Sequence, residues 1–231
     1  MTDATTIAAP VLAIDGPGGA GKGTVSRMLA ATLGWHYLDS GALYRILALA
    51  AVRKGAELVD EPRVAALAHE LDIRFGIGTD ESVWLDGEEV SGHIRSEQAG
   101  AMASVVAALP AVRQALLLRQ RAFRQAPGLV ADGRDMGTVV FIDAMQKVFL
   151  TASAQERADR RHKQLIAKGI DVNIGDLLLD INARDERDSS RAVAPLRPAD
   201  DAVVIDTTCV SVPQVVSEIL KLLADRNVKT Q

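Results

Sequence analysis

Residues 16–24 read GPGGAGKGT, a spacing of glycine, lysine and hydroxyl suited to holding a polyphosphate. Glycine at 16, 18, 19, 21 and 23 lets the backbone reach positive φ and turn successive amides inward on an anion. Lys22 adds a full charge that reaches the β and γ phosphates of a nucleoside triphosphate, and Thr24 adds a hydroxyl. A plain glycine-rich turn needs neither. One position departs from the common form of the motif. Gly23 stands where Ser or Thr ordinarily follows the lysine, and Thr24 comes one residue later. Mg²⁺ is therefore expected to be held largely through water and the nucleotide's own phosphates, with Thr24 and Asp132 as its candidate contacts.

Arginine placement is the second chemical signal. Arg45, Arg134, Arg191 and the pair Arg160/Arg161 fall in or near loops after expected strands, or on a charged helix. Phosphoryl transfer needs several cations, to bring two anionic reactants together and to offset charge on the moving group. The planar guanidinium fork suits that task. In the segment Asp132-Gly133-Arg134-Asp135, Asp132 closes a strand while Arg134 and Asp135 are expected to enter the same crevice. A turn rich in Asp and Gly for backbone reasons alone is the alternative.

The elements that must position these groups are legible as apolar runs. Val11–Ile14 reads as a buried parallel strand and Val25–Leu33 as the helix after the phosphate loop. Trp35–Leu38, Leu129–Ala131, Lys147–Leu150 and Ala202–Ile205 supply four more strands. Helices are expected over Ala42–Lys54, Glu97–Leu109, Ala111–Gln125, Ala154–Lys168, Ile174–Arg187 and Val212–Ala224. Strands alternating with helices predict an α/β fold with a doubly wound, five-stranded parallel sheet. Between Gly55 and Ser96 the pattern changes. A helix through Val64–His69, an extended run at Asp72–Ile77, a turn at Gly78–Ser82 and a hairpin turn at Asp86-Gly87 predict a small antiparallel sheet in an inserted lobe.

The chain has 231 residues, 48% of them hydrophobic, with 26 Lys+Arg against 30 Asp+Glu. A net charge of −4 argues against a general nucleic-acid binder, so any anion site is local. The single cysteine, Cys209, allows no intrachain disulfide and is expected in the core. The expectation is a cytoplasmic protein with no signal peptide and no membrane partner.

The motifs GPGGAGKGT, DSGALYR, VSGHIR, ADGRDMGTVVF and RDERDSSRAVAPL occur in this order, and on them the chain resembles the bacterial cytidylate kinases across nearly its whole length. The GKGT form is shared with other nucleoside monophosphate kinases; the inserted lobe sets the chain apart from the short adenylate kinases. The resemblance implies transfer of the γ-phosphoryl group of ATP to CMP or dCMP, with Mg²⁺. It divides the chain into a core of residues 1–39 and 129–231, with a short lid at about 154–175, and an acceptor lobe of residues 40–128 with an insertion at about 56–100. It assigns Gly16, Pro17, Gly18, Gly19, Ala20, Gly21, Lys22, Gly23 and Thr24 to ATP. Ser40, Arg45 and Arg134 would lie in the acceptor pocket, Ser104, Arg113 and Asp135 would face cytosine, and Arg184 and Asp188 would approach the ribose. Arg191 would hold phosphate, Arg160 would belong to the lid, and Lys22, Arg134, Arg160 and Arg191 would serve the transfer. A monomer is expected, since two lobes closing on substrate need free surface. The alternatives are a kinase for another monophosphate such as UMP, a GTP-hydrolysing switch, which would want an N-K-x-D sequence that this chain lacks, and a nonenzymatic phosphate-binding module.

Overall fold

The first strand of the chain, β1 (Val11–Asp15), is buried along its whole length. A parallel strand with apolar residues at successive positions needs cover on both faces. Val11 and Ala13 point into one apolar cluster, Leu12 and Ile14 into another. In this computed structural model, which describes residues 8–76 and 82–226, β1 is the centre of a five-stranded sheet. Its neighbours are β6 (Leu129–Gly133) and β7 (Gln146–Thr151). Outside them lie β2 (His36–Asp39) and β8 (Val203–Asp206), giving the order β2-β6-β1-β7-β8 with parallel pairing throughout.

Helices cover both faces, as expected of a doubly wound sheet. Against Leu12 and Ile14 pack Val25 and Leu29 of α1 (Lys22–Leu33) and Val215 and Ile219 of α9 (Val212–Ala224). Against Val11 and Ala13 pack Leu43 and Leu47 of α2 (Ser40–Arg53).

Between β2 and β6 the chain forms α2, α3 (Glu61–Glu70), β3 (Ile73–Phe75), β4 (Val83–Leu85), β5 (Glu88–Glu89), α4 (Ser91–Ile94), α5 (Glu97–Val106) and α6 (Pro110–Arg121). The three short strands make the expected antiparallel sheet. Asp86 and Gly87 both have positive φ, 51° and 84°, as the tight hairpin turn requires. The turn expected at Gly78–Ser82 falls, but for Ser82, outside the described residues. Val64, Leu85, Val106 and Leu116 of this inserted region share one cluster with Val11 and Leu129 of the sheet.

After β7 come α7 (Ala154–Ile166) and α8 (Ile174–Ser189). They pack on each other around a small cluster of Ala158, Leu165 and Leu177.

Boundaries shift where caps decide them. The second helix starts at Ser40 rather than Ala42, because the Asp39 side chain accepts the Ala42 amide at 3.1 Å. The helix expected to reach Leu109 stops at Val106, since Leu109 precedes Pro110 and takes an extended conformation. The third core strand runs on through Gly133 and leads into a π-helical turn, Met136–Val140, which the sequence did not suggest. Cys209 is exposed rather than in the core. It lies in the turn after β8, where Ile205 and Val215 already fill the apolar positions. Among the described residues, no single helix is long and apolar enough to cross a membrane.

Candidate active site

Gly16 follows β1 directly and has φ +145°. A Cβ there would stand 1.9 Å from the Leu150 carbonyl oxygen, so only glycine lets the loop pass β7. Gly21, in the left-handed conformation, is the N-cap of α1, and no side chain caps that helix. Its first amides are thus left for an anion, with the helix dipole behind them. Lys22 curls back over the loop, donating to the Pro17 carbonyl at 2.8 Å and standing 4.0 Å from Asp132 Oδ1. Burial, then the nearby Arg134, holds the Lys22 amine well below the ordinary lysine range. Burial raises Asp132, and Asp39 adds to this. A phosphate group would add to the countercharge that Asp132 provides for Lys22.

The loop rests on side chains from distant elements. Arg157 donates through Nη1 to the Gly18 carbonyl at 3.1 Å, through Nε to the Ala152 carbonyl at 3.1 Å, and pairs with Asp185. In the sequence it is one cation of a charged helix; in the structure it is a buried support of the phosphate loop. Helical spacing alone does not reveal this. The Thr207 hydroxyl lies 3.1 Å from the Ala20 carbonyl and 3.0 Å from that of Thr151. Arg160 bonds Glu156 at 2.9 Å and also the Thr207 backbone, at the same end of the cleft.

The other end is built from paired charges. Arg113 on α6 forms a buried ion pair with Asp135 and donates to the Ala107 carbonyl at 3.2 Å. Its guanidinium carbon sits 5.7 Å from the Tyr44 ring centroid. Asp188 on α8 accepts from Arg134 Nε at 3.1 Å on one oxygen and from Arg191 on the other. Burial alone would raise the Asp188 pKa; Arg134 and Arg191 outweigh it and hold it low. Burial and Arg134 push Arg184 down to about 10. Arg45 donates to the Ile94 carbonyl at 3.0 Å. Ser104 Oγ, Tyr44 OH, Arg184 Nε and Arg191 Nε are buried without hydrogen-bond partners.

One cleft of about 840 Å³ joins the two ends. Of the residues singled out from sequence, Gly18–Thr24, Ser40, Arg45, Ser104, Arg113, Arg134, Asp135, Arg160, Arg184, Asp188 and Arg191 line it, as does Asp132. Gly16 and Pro17 are buried beneath it. Asp188, assigned above to the ribose, has both oxygens engaged by guanidinium groups, so its evident task here is to hold Arg134 and Arg191. Tyr44 was missed; its only signal was its place in DSGALYR. Asp15 was missed as well, although a carboxylate closing the run VLAI is an available clue. It is buried, it accepts the Met136 and Gly137 amides, and burial raises its pKa to about 7.

No group of three or more His, Cys, Asp or Glu that could hold a metal occurs among the described residues. The desolvated Asp132, with Asp39 nearby and Thr24 on the same cleft, suits instead a cation shared with phosphate and water.

A cytidylate kinase family model matches residues 12–225. Curated relatives that this chain resembles carry the name cytidylate kinase. That of Pseudomonas paraeruginosa is 63% identical over 92% of this chain and 94% of its own. That of Stutzerimonas stutzeri is 58% identical over 94% and 96%. That of Photobacterium profundum is 59% identical over 91% and 92%.

Proposed function

The chain belongs to the cytidylate kinase family, and from that premise we propose how its cleft works. The protein is an ATP-dependent nucleoside monophosphate kinase that transfers the γ-phosphoryl group to CMP or dCMP. In our reading Gly16–Thr24 wrap the ATP phosphates, with loop amides and Lys22 against the β and γ groups. Arg134, Arg160 and Arg191 stand where charge develops as the phosphoryl group moves. The acceptor phosphate is already an anion, so orientation and charge neutralisation suffice without a general base. Mg²⁺, when bound, offsets phosphate charge, and Asp132 and Thr24 would hold it through water.

At the acceptor end, Ser40, Arg45 and Arg134 take the CMP phosphate, and Arg184 reaches the ribose with Asp188 behind it. The base lies against Ser104, Arg113 and Asp135. The single observation that carries the base assignment is the buried Arg113–Asp135 pair on the same cleft as an unpartnered Ser104 hydroxyl. Arg113 occupies Oδ2 of Asp135, and Oδ1 is the oxygen that accepts from the cytosine amine. Uracil would turn a carbonyl lone pair on it.

The segment 154–175, α7 with the residues that follow it, is our candidate lid, and Arg161 on α7 pairs with Glu97 on α5. Its closure excludes water that would otherwise take the phosphoryl group. We take the enzyme to be monomeric and cytoplasmic.

The test is ADP release with ATP and Mg²⁺ against CMP, dCMP, UMP, AMP and GMP. ADP with CMP and dCMP alone is expected. Asp135→Ala should lower the CMP-over-UMP ratio of kcat/KM by about tenfold or more. An unchanged ratio would remove Asp135 from base recognition, and turnover favouring UMP would favour the alternative acceptor.

A further inference from the structure

Asp15 closes β1, one residue before the phosphate loop, yet its carboxylate serves the opposite end of the cleft. Oδ1 accepts from the Met136 amide at 2.7 Å and Oδ2 from the Gly137 amide at 2.8 Å. These amides directly follow Asp135 and open the π-helical turn Met136–Val140. They are first-turn donors with no partner inside the turn. Asp135 itself occupies the N-cap position, where an aspartate side chain ordinarily accepts such amides. Here it caps nothing. Its carboxylate goes to Arg113 instead.

We propose that Asp15 is a positioning residue for base recognition: it caps the turn from a distant strand and so frees Asp135 to face the acceptor base with Arg113. The proposal rests on the reading of Asp135 given above. A Cβ at Gly137 would lie 3.1 Å from Lys147 Cδ and in ordinary contact, 3.4 Å, with Asp15 Oδ2. With both oxygens occupied and only 4% of its surface exposed, Asp15 is bound to this turn from the same strand that carries the donor loop.

Asp15→Asn keeps the shape but sets an NH₂ group against one of the two amides. Asp135 is then drawn back towards the vacated donor and away from the base. The expected result is a KM for CMP raised about tenfold and a lowered CMP-over-UMP ratio, with the KM for ATP unmoved. Combined with Asp135→Ala, Asp15→Asn should add little further loss of that ratio. Equal shifts in both KM values, or full additivity, would overturn the proposal and leave Asp15 a structural residue. If Asp135→Ala alone leaves the ratio unchanged, the base-recognition reading itself fails. If Asp135→Ala lowers the ratio and Asp15→Asn does not, only the present inference fails. Should Asp15→Asn not fold, Asp15→Glu carries the test, because it keeps the charge while its added methylene shifts both oxygens from the Met136 and Gly137 amides. The same CMP-selective shift is then expected, and a shift common to both substrates would overturn the proposal.

Discussion

The two ends of the cleft are made of different materials. The donor end is one continuous loop whose working parts are backbone amides and a single lysine, braced from below by Arg157 and Thr207. The acceptor end is made of side chains drawn from α2, α5, α6, α8 and the turn after β6, and most of its charges are already paired. Backbone dipoles are fixed by the fold, and the open amides of a loop at a cleft can meet water or an anion. Buried side-chain ions depend on each other, and removing one strands its partner. The donor end should therefore fail residue by residue, and the acceptor end pair by pair.

Lys22→Met probes this contrast with the largest expected effect. Loss of the charge at the transferring group should lower kcat by about a hundred- to a thousandfold while the KM for CMP stays put. Steady-state kinetics with both substrates varied would show it. A parallel rise in the CMP KM would break the separation of the two ends.

Arg113→Met comes next. It leaves the Asp135 carboxylate buried and alone, at a cost of about 3 kcal/mol of folding stability, and it raises the KM for CMP without moving that for ATP. Adding Asp135→Leu should restore much of the thermal midpoint but none of the CMP affinity. If the double variant is as unstable as Arg113→Met alone, the acceptor end is not organised in pairs.

A smaller effect lies at the donor end. Lys22 is held low by burial and Arg134, so at about pH 8 a large share of the ligand-free protein has it neutral. Phosphate favours the ammonium form. ATP binding should then take up a fraction of a proton at that pH, and the uptake should vanish as the pH falls well below the Lys22 pKa of about 7. Calorimetry in buffers of different ionisation enthalpy measures this, and Lys22→Met should abolish it.

The same contrast explains what could be read before folding. The loop we assign to the donor is contiguous backbone, so a single unbroken stretch, Gly16 to Thr24, disclosed it. The five strands and the Asp86-Gly87 hairpin were equally local signals. The acceptor end depends on which charges the topology brings together. Arg113 on its own is a helix arginine and Ser104 a helix serine, and only resemblance to a family assigned them to the base. Their pairing and burial appear once α5 and α6 stand beside the turn after β6. Arg157 and Asp15 escaped notice for that reason. Each acts on a segment remote in sequence, and no spacing rule links Asp15 to Met136. Asp188 lines the cleft, and its engagement by two arginines is a tertiary fact.

The central place of β1 bears on the order in which the molecule is made. Val11 finds its partner in Leu129, and Leu12 in Gln146. During synthesis the phosphate loop leaves the ribosome before both strands that fix it, which emerge only after the entire inserted region. The nascent chain therefore holds its glycine-rich segment in an uncommitted state until β6 and β7 arrive. Nucleotide can first help order this loop only once β6 and β7 have been translated.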